Sequence, residues 1–543
     1  MSEINKTKIK ILEIIISSVI GLLFSFAFCI ITQPSFLIFI MFCCLGIMIP
    51  GFISIRSSKR KYDNKHIITL IKKIIKWIIL GWIIWPGFGV FIGPFIGFYF
   101  ATKKDDNKNF SFQKYAWNQF KKNKIALVCL YMLFFLILLA RFSPYIANTQ
   151  PLYAVYKGQT MWPAFSEEKK TVEITDPETG TVEKLQFDIT DWRQLDLDKV
   201  VYAPIPYSPD FLDRYNRNYV APGGKQNFKT KNGEIIECPK RFRHLLGTDG
   251  KGADLASGLI HGTKIALQVG LISMGIASFI GIILGALAGF FGDRGLKMRR
   301  NKYYCTLIGI FLGLFYGFGQ RKYEIIEGFE QGTSDGVIQI GISIIIIIII
   351  TFVVRQLSRL MRLGFLQKEV TVPVDSFISR SIELLNSIPR ILLIITVTAI
   401  MERSLVIIMV IIGITGWTRI ARFTRAEFLR IRNLEYIQAS KALGFSSIRT
   451  IFKHALPNAL APVFVSIAFG IAAAILIESA LSFLGIGVPD DVVTWGSLLN
   501  LGKQNIDAWW LVIFPGIAIF ITVTIYNMIA EASRDALDPK LKS

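Results

Sequence analysis

Histidine is scarce in this chain: the 543 residues include four. They stand at His66, His244, His261 and His454, with no spacing that would let two of them share a metal ion. Cysteine is little commoner. Of six, Cys29, Cys43, Cys44, Cys129 and Cys305 lie in or beside apolar runs, and only Cys238 falls in a polar segment. A disulfide framework within that segment is thereby excluded, and the lone thiol is expected to be reachable from solvent. No Gly-x-x-x-x-Gly-Lys-Ser/Thr run occurs, and Gly247-Thr-Asp-Gly-Lys251 lacks its spacing, so the usual cradle for nucleotide phosphates is missing. Charged residues make up only 18% of the chain. With 52% hydrophobic residues and a mean hydropathy of +0.47, this excludes the string of soluble domains that length alone suggests.

What is abundant is apolar sequence in long runs. The clearest cover 11–32, 36–55, 125–140, 265–291, 337–354, 405–420 and 511–530. A hydrocarbon core takes roughly 20 residues of helix to cross, and lipid offers no partner to a free backbone group. The chain therefore reads as an all-α protein that crosses a membrane many times. The first run is too long for a signal-peptide core and is followed at once by another, so it reads as a retained anchor. The net charge of +22 is gathered in short loops: Arg56, Lys59, Arg60 and Lys61; Lys121, Lys122 and Lys124; Arg294, Lys297, Arg299 and Arg300. Loops of that kind stay on the cytoplasmic side, against water and lipid headgroups, and do not point to nucleic acid.

The expected organisation has six sections. Residues 1–109 hold a helical hairpin and, at 77–101, a stretch flanked by basic loops and interrupted by Pro86-Gly87 and Pro94, which favours a re-entrant or short hairpin. Residues 110–142 give a cytoplasmic approach and the first core span. Residues 143–258 form a polar insert whose acids and bases nearly balance, placing it on the outer side. Within it Val172-Glu-Ile-Thr-Asp-Pro-Glu-Thr-Gly-Thr-Val-Glu-Lys-Leu185 alternates around a turn and reads as a β-hairpin, with Trp162, Trp192, Tyr202 and Tyr207 supplying apolar mass. Such an insert is either a spacer or a docking surface. Residues 259–293 give the second core span, and 294–372 an inserted transmembrane hairpin with an isoleucine run at 342–350. The remaining core spans lie in 373–543, at 382–400, 405–420, 458–486 and 509–530.

Between the middle two of those spans lies a loop at 422–457. Residues 426–443 read as one helix with Gly444 as its C-terminal cap, where a left-handed conformation is needed. Ser446 is placed to cap a second helix. Ile448, Ile451, Phe452 and Ala455 recur at helical spacing, with Arg449 and Lys453 opposite, and Pro457 suits the first turn of the next span. A bent helix pair held under a membrane suits a groove in a soluble partner. An amphipathic loop resting on lipid is the alternative.

Gln438-Ala-Ser-Lys-Ala-Leu-Gly444 followed by His454-Ala-Leu-Pro457 resembles the coupling loop of ABC-importer permeases, whose pattern is EAA, three residues, Gly, nine residues, Ile, one residue, Leu-Pro. Gln438, Ser440 and His454 depart from that pattern, while every spacing is kept. His244-Leu-Leu-Gly-Thr-Asp-Gly-Lys-Gly-Ala-Asp-Leu255, Gly262-Thr-Lys-Ile-Ala-Leu-Gln-Val-Gly270, Val374-Asp-Ser-Phe377, Ser387-Ile-Pro-Arg390, Glu478-Ser-Ala-Leu-Ser-Phe-Leu-Gly-Ile-Gly487, Trp495-Gly-Ser-Leu-Leu499 and Arg534-Asp-Ala-Leu-Asp-Pro539 resemble, in order, the C-type permease of the dipeptide/oligopeptide (peptide/nickel) uptake family. Ala253 stands where that family usually has Arg. The resemblance covers 119–141, 243–293 and 374–543.

It implies a type I importer core of six transmembrane helices in a bacterial inner membrane, with both termini cytoplasmic. It also implies a second, non-identical permease, two cytoplasmic ATPases carrying ATP and Mg, and an extracytoplasmic binding protein that delivers peptide. This chain would then bind no cofactor and catalyse nothing. Gln438, Ala439, Ser440, Leu443, Gly444, Arg449 and Pro457 would meet the ATPases.

Glu478 is an acid inside an apolar run. It is either a path-lining or proton-relay residue or a carboxylate tied to its neighbours. Arg390 is similarly open between snorkelling to the membrane edge and lining a path. Two other classes compete. A secondary transporter would show inverted repeats or broken helices around ion ligands, and no internal symmetry is visible. A membrane-anchored receptor or sensor needs an output domain, for which the residues after the last span are too few.

Overall fold

Backbone groups inside hydrocarbon have only one another as partners, and the apolar runs accordingly form long helices. The computed structural model describes residues 112–537 apart from 167–169, 176–181, 231, 332, 360–366 and 402. The hairpin expected over 11–55 and the bent stretch at 77–101 lie outside the described residues. Helix α1 (Phe112–Lys122) ends at Asn123, whose side chain accepts the Ala126 N–H at 3.1 Å and starts α2 (Lys124–Ile146).

The insert follows as short antiparallel strands: β1 (Tyr153–Tyr156), β2 (Gln159–Met161), β3 (Thr171–Thr175), β4 (Val182–Gln186), β5 (Lys199–Val201), β6 (Asn227–Lys229) and β7 (Ile235–Glu237). The first sheet has the order β2-β1-β5. The hairpin read from alternation is present as β3 and β4, paired from Thr171 with Gln186 to Thr175 with Val182. Its inward residues Ile174 and Leu185 pack on Phe187 and Trp192.

Helix α3 (Leu255–Phe291) leaves the insert and reaches the far end of the bundle. Next come β8 (Lys297–Arg299), α4 (Arg300–Leu314) with a π turn at Phe315–Gly319, α5 (Lys322–Gln331), α6 (Thr333–Leu357) and β9 (Glu369–Thr371). This inserted hairpin packs chiefly on itself. Gly309, Gly313 and Gly317 set α4 against Thr351, Ile347 and Ser343, and β8 pairs with β9 at its base. The isoleucine run faces outward at Ile344, Ile345, Ile348 and Ile349, as filler against lipid would.

The last section holds α7 (Val374–Asn386), α8 (Arg390–Ile400), α9 (Leu405–Ile431), α10 (Glu435–Ala442), α11 (Ser447–Arg449), α12 (Leu456–Phe483), α13 (Trp495–Gln504) and α14 (Trp510–Leu537). Among the described residues six helices are long and apolar enough to span a membrane, or up to eight if each of two bent pairs counts as one. The single span expected at 382–400 is a bent pair instead: α7 and α8 meet at 76°. Pro389 brings no N–H, and it biases Ile388 away from helix, so the run breaks there despite its unbroken hydropathy.

The central contact is between α3 and α9. Gly281, Gly285 and Gly289 line one face of α3, and a Cβ on Gly285 would fall 2.5 Å from the Ala421 carbonyl oxygen. At Gly289 it would meet Phe428 Cβ at 2.5 Å, and Gly413 on α9 makes the reciprocal approach to Ile276. Small residues at this spacing let helix backbones touch where lipid supplies no hydrophobic drive. The buried Ser273 hydroxyl donates to the Met409 carbonyl oxygen at 2.9 Å and fixes the register.

Cys238 is not reachable as expected. It is 3% exposed, its Sγ lies 3.0 Å from the Phe242 carbonyl oxygen, and burial pushes the thiol up to about 11. Nothing in a lone cysteine's sequence context reports such a fold-back.

Gly285→Ala is expected to cost about 1–3 kcal/mol by overpacking, whereas Gly275→Ala, with open space at its Cβ, is expected to be neutral. The thermal midpoint of each variant in detergent, followed by size exclusion, checks this. Equal midpoints would contradict the close-packed face.

Candidate functional site

The segment joining α9 to α12 is built on the ends of three long helices. Arg425 of α9 is bidentate to Asp375, with Nη2 and Oδ2 at 2.8 Å, and Arg432 donates to the Gly289 carbonyl oxygen at 3.3 Å. The single helix expected over 426–443 is broken. α9 stops at Ile431, Leu434 is extended, and α10 restarts at Glu435. Asn433 sits in that break, a residue type that competes with helix through local side-chain bonds.

The end of α10 agrees with the sequence reading. Gly444 has φ +75°, the Phe445 N–H donates to Ser440 O at 3.1 Å, and the Gly444 N–H donates to Lys441 O at 3.0 Å. Those two bonds are the paired closure that a left-handed C-terminal cap provides. Ser446 Oγ accepts the Arg449 N–H at 3.3 Å and starts the next helix, and Pro457 lies in the first turn of α12.

The four residues placed on one apolar face divide into two pairs. A π turn at Thr450–Ala455 widens the helix. Ile451 and Ala455 turn inward to Phe290, Phe428, Ile431, Ile437 and Ala459, while Ile448 (70% exposed) and Phe452 (56%) face out. Leu443 is exposed as well (72%). Of the other expected site residues, Gln438, Ala439, Arg449 and Pro457 are exposed. Gln438 donates to Asn433 O at 3.2 Å, and Arg449 lies over the Phe445 ring at 4.5 Å. Ser440 is buried and bonds back to Tyr436 O. Leu443, Ile448 and Phe452 thus stand furthest in the open, with Leu434 and Tyr436 less so, on a segment whose other side is held by caps and core.

Glu478 does not join this surface. On α12 it is 1% exposed and accepts from Ser482 Oγ at 2.6 Å and from Ser479 Oγ at 3.4 Å. Arg390 turns to α9, donating to the Ile412 carbonyl oxygen at 2.8 Å and to Thr415 Oγ1 at 3.2 Å.

A second constellation was not legible in advance. His244 is buried between two acids, with Nδ1 2.8 Å from Asp254 Oδ1 and Nε2 3.3 Å from Asp213 Oδ2. Tyr207 stacks on the imidazole at 4.0 Å between centroids. Asp254 also caps α3 by accepting the Ser257 N–H at 2.7 Å, and Trp510 Nε1 of α14 donates to Thr248 O at 3.0 Å. Gly252 (φ +92°) is required beside it, because a Cβ there would fall 2.1 Å from the Asp213 carbonyl oxygen. The cluster therefore clasps the insert to the start of α3. Burial alone would push the imidazole down, but hydrogen bonds to Asp213 and Asp254 outweigh it and hold His244 above the ordinary histidine range. Burial would likewise raise Asp213, yet its bonds to His244 and Asn216 hold it below the ordinary carboxylate range. The spacing to Asp254 was visible in the sequence; that to Asp213 was hidden in irregular chain.

With the geometry set out, its relatives can be named. A family model described as a binding-protein-dependent transport system inner membrane component matches residues 362–543, and one for the N-terminal TM domain of oligopeptide transport permease C matches 111–161. The dipeptide transport system permease protein DppC of Alkalihalophilus pseudofirmus is 29% identical over 301 residues, 55% of this chain and 73% of that protein. The di/tripeptide permease protein DppC of Pseudomonas aeruginosa is 29% identical over 302 residues, 55% and 74%. The inner membrane ABC transporter permease protein YejE of Escherichia coli is 25% identical over 428 residues, 78% and 96%. Spans and matches together define a binding-protein-dependent transport permease of the inner membrane, a multi-pass protein. Within that class the matches support a peptide ABC permease of the C type.

The clasp sets a pH window. The His244 contribution is complete below the ordinary histidine pKa and is lost as pH rises through its raised folded value. The Asp213 contribution is present above the ordinary carboxylate pKa and is lost as pH falls through its lowered value. Amide protection factors across 207–258, with the base-catalysed intrinsic rate divided out, are therefore expected to fall at the alkaline side. His244→Ala, which leaves two buried acids facing each other, is expected to cost about 3–5 kcal/mol. Protection factors that are flat with pH and unchanged in the variant would contradict the clasp.

Proposed function

We propose that this chain forms, with a second and non-identical permease, the path by which an ATP-driven importer moves peptides handed over by an extracytoplasmic binding protein. Hydrolysis of ATP sits on two cytoplasmic ATPase subunits. The observation that carries the reading is the exposed trio Leu443, Ile448 and Phe452 on a segment otherwise fixed to the ends of α3, α9 and α12. Apolar side chains in the open on a rigid mount suit a groove in a partner, where they would be buried. Gln438, Ala439 and Arg449 would border that contact. Gly444 and Pro457 would set the turns that flank it, and the buried Ser440 would support it from within. Glu478, held by Ser482, serves as an internal tie of α12, the second of its two sequence readings. The basic loops and both termini face the cytoplasm, and the insert faces outward, so that its clasp to α3 joins the binding-protein side to the core.

Two experiments test this. Gly444→Val forces a β-branched residue into a left-handed turn, at roughly 1–2 kcal/mol. Peptide uptake is expected to fall to background while the co-purified complex still hydrolyses ATP, with Gly444→Asn, which tolerates that conformation, retaining uptake. Full uptake by the valine variant counts against the coupling role. For sidedness, Ile189→Cys places a thiol at an exposed site in the insert, expected to react with an impermeant reagent on intact cells. Reaction only after lysis would invert the topology.

A further inference from the structure

Arg419 lies at the middle of α9 and Arg422 one turn on, in a helix whose other faces are packed or apolar. With Phe423 and Ala426, and with Ser466 and Phe469 of α12, they line an open hollow of about 580 Å³ toward the Gly444 end of the bundle. Arg419 closes the apolar run at 405–420 and Arg422 opens the loop beyond it, where a cation faces water, lipid headgroups or a bound anion. The neighbouring cations on α9 have their anions within the chain: Arg425 pairs with Asp375, and Arg430 with Glu427. Arg419 and Arg422 have none among the described residues. Arg390, anchored on Ile412 and on Thr415 one turn before Arg419, brings a further cation to the same stretch of α9. The chain thus assembles positive charge at a hollow with aromatic walls and leaves its counter-charge to something else.

We propose that this hollow is a station for the terminal carboxylate of the peptide in transit, with Arg419 and Arg422 as its recognition residues and Phe423 and Phe469 taking apolar side chains of the cargo. A guanidinium matches a carboxylate in geometry as well as charge. The hollow stays open to solvent, so the anion is held without being trapped. This rests on the peptide-permease reading above and adds to it the group that the path recognises.

The test uses the complex co-purified from native membranes, reconstituted in liposomes with its binding protein. Uptake of a free-acid peptide is compared with that of the same peptide amidated at its C-terminus. The binding protein's own affinity for each is measured separately and divided out. Wild type is expected to favour the free acid. The double variant Arg419→Gln/Arg422→Gln is expected to lower that preference about tenfold, the size of one charge-assisted contact, and the double Lys variant to keep most of it. A wild-type complex indifferent to amidation, or a glutamine variant that slows both peptides equally, overturns the assignment. Loss of the second permease from the glutamine variant on size exclusion overturns it too, since the hollow would then hold a partner's carboxylate. A wild-type complex that moves neither peptide refutes the transport reading itself, so the two failures are distinct.

Discussion

Everything in the described bundle hangs on the contact between α3 and α9. Gly281, Gly285 and Gly289 bring the two backbones together at distances no side chain would permit, and Ser273 sets their register. In lipid such close packing replaces the hydrophobic drive that water would supply. Because the contact continues to Gly289 and Phe428, it delivers the end of α9 beside the end of α3, where Phe290, Ile431 and Ile437 form the floor on which the connecting segment is laid.

α3 is therefore a mechanical link. One end is capped by Asp254, which is also half of the clasp on His244, and the other carries Phe290 into the floor of the capped turn. The two ends are joined by a helix of 37 residues that is buried against α9 for much of its length. Rigid elements with packed faces move as bodies, so the insert and the segment at Gly444 are joined by structure and not by a chain of small side-chain shifts. The charges respect the same division. Acids and bases pair in the insert and at Asp375 with Arg425, while Arg419 and Arg422 stand at the hollow.

The sequence made local devices legible and left long-range ones hidden. The left-handed cap at Gly444, the Ser446 cap and the β3–β4 hairpin were readable because each is decided by a few adjacent residues. The break at 432–434 was not, since the apolar period continues across it and only Asn433 marks the turn. The bend at Pro389 lay inside an unbroken hydropathic run that reads as one span. Ile448 and Phe452 were grouped on one face with Ile451 and Ala455 because the grouping rested on the α-helical period, which the π turn at Thr450–Ala455 changes. The His244 clasp depends on Asp213, 31 residues away, and Cys238 is buried by the same irregular chain, where no periodicity reports burial. The amphipathic helices α1 and α13 were too short to stand out beside the spans.

The central claim is that the capped segment between α9 and α12 meets a motor subunit. A photoreactive residue at Ile448, activated in native membranes and followed by identification of what it captures, tests this most directly. Capture of a nucleotide-hydrolysing subunit is the expected result; capture of lipid alone would contradict the account.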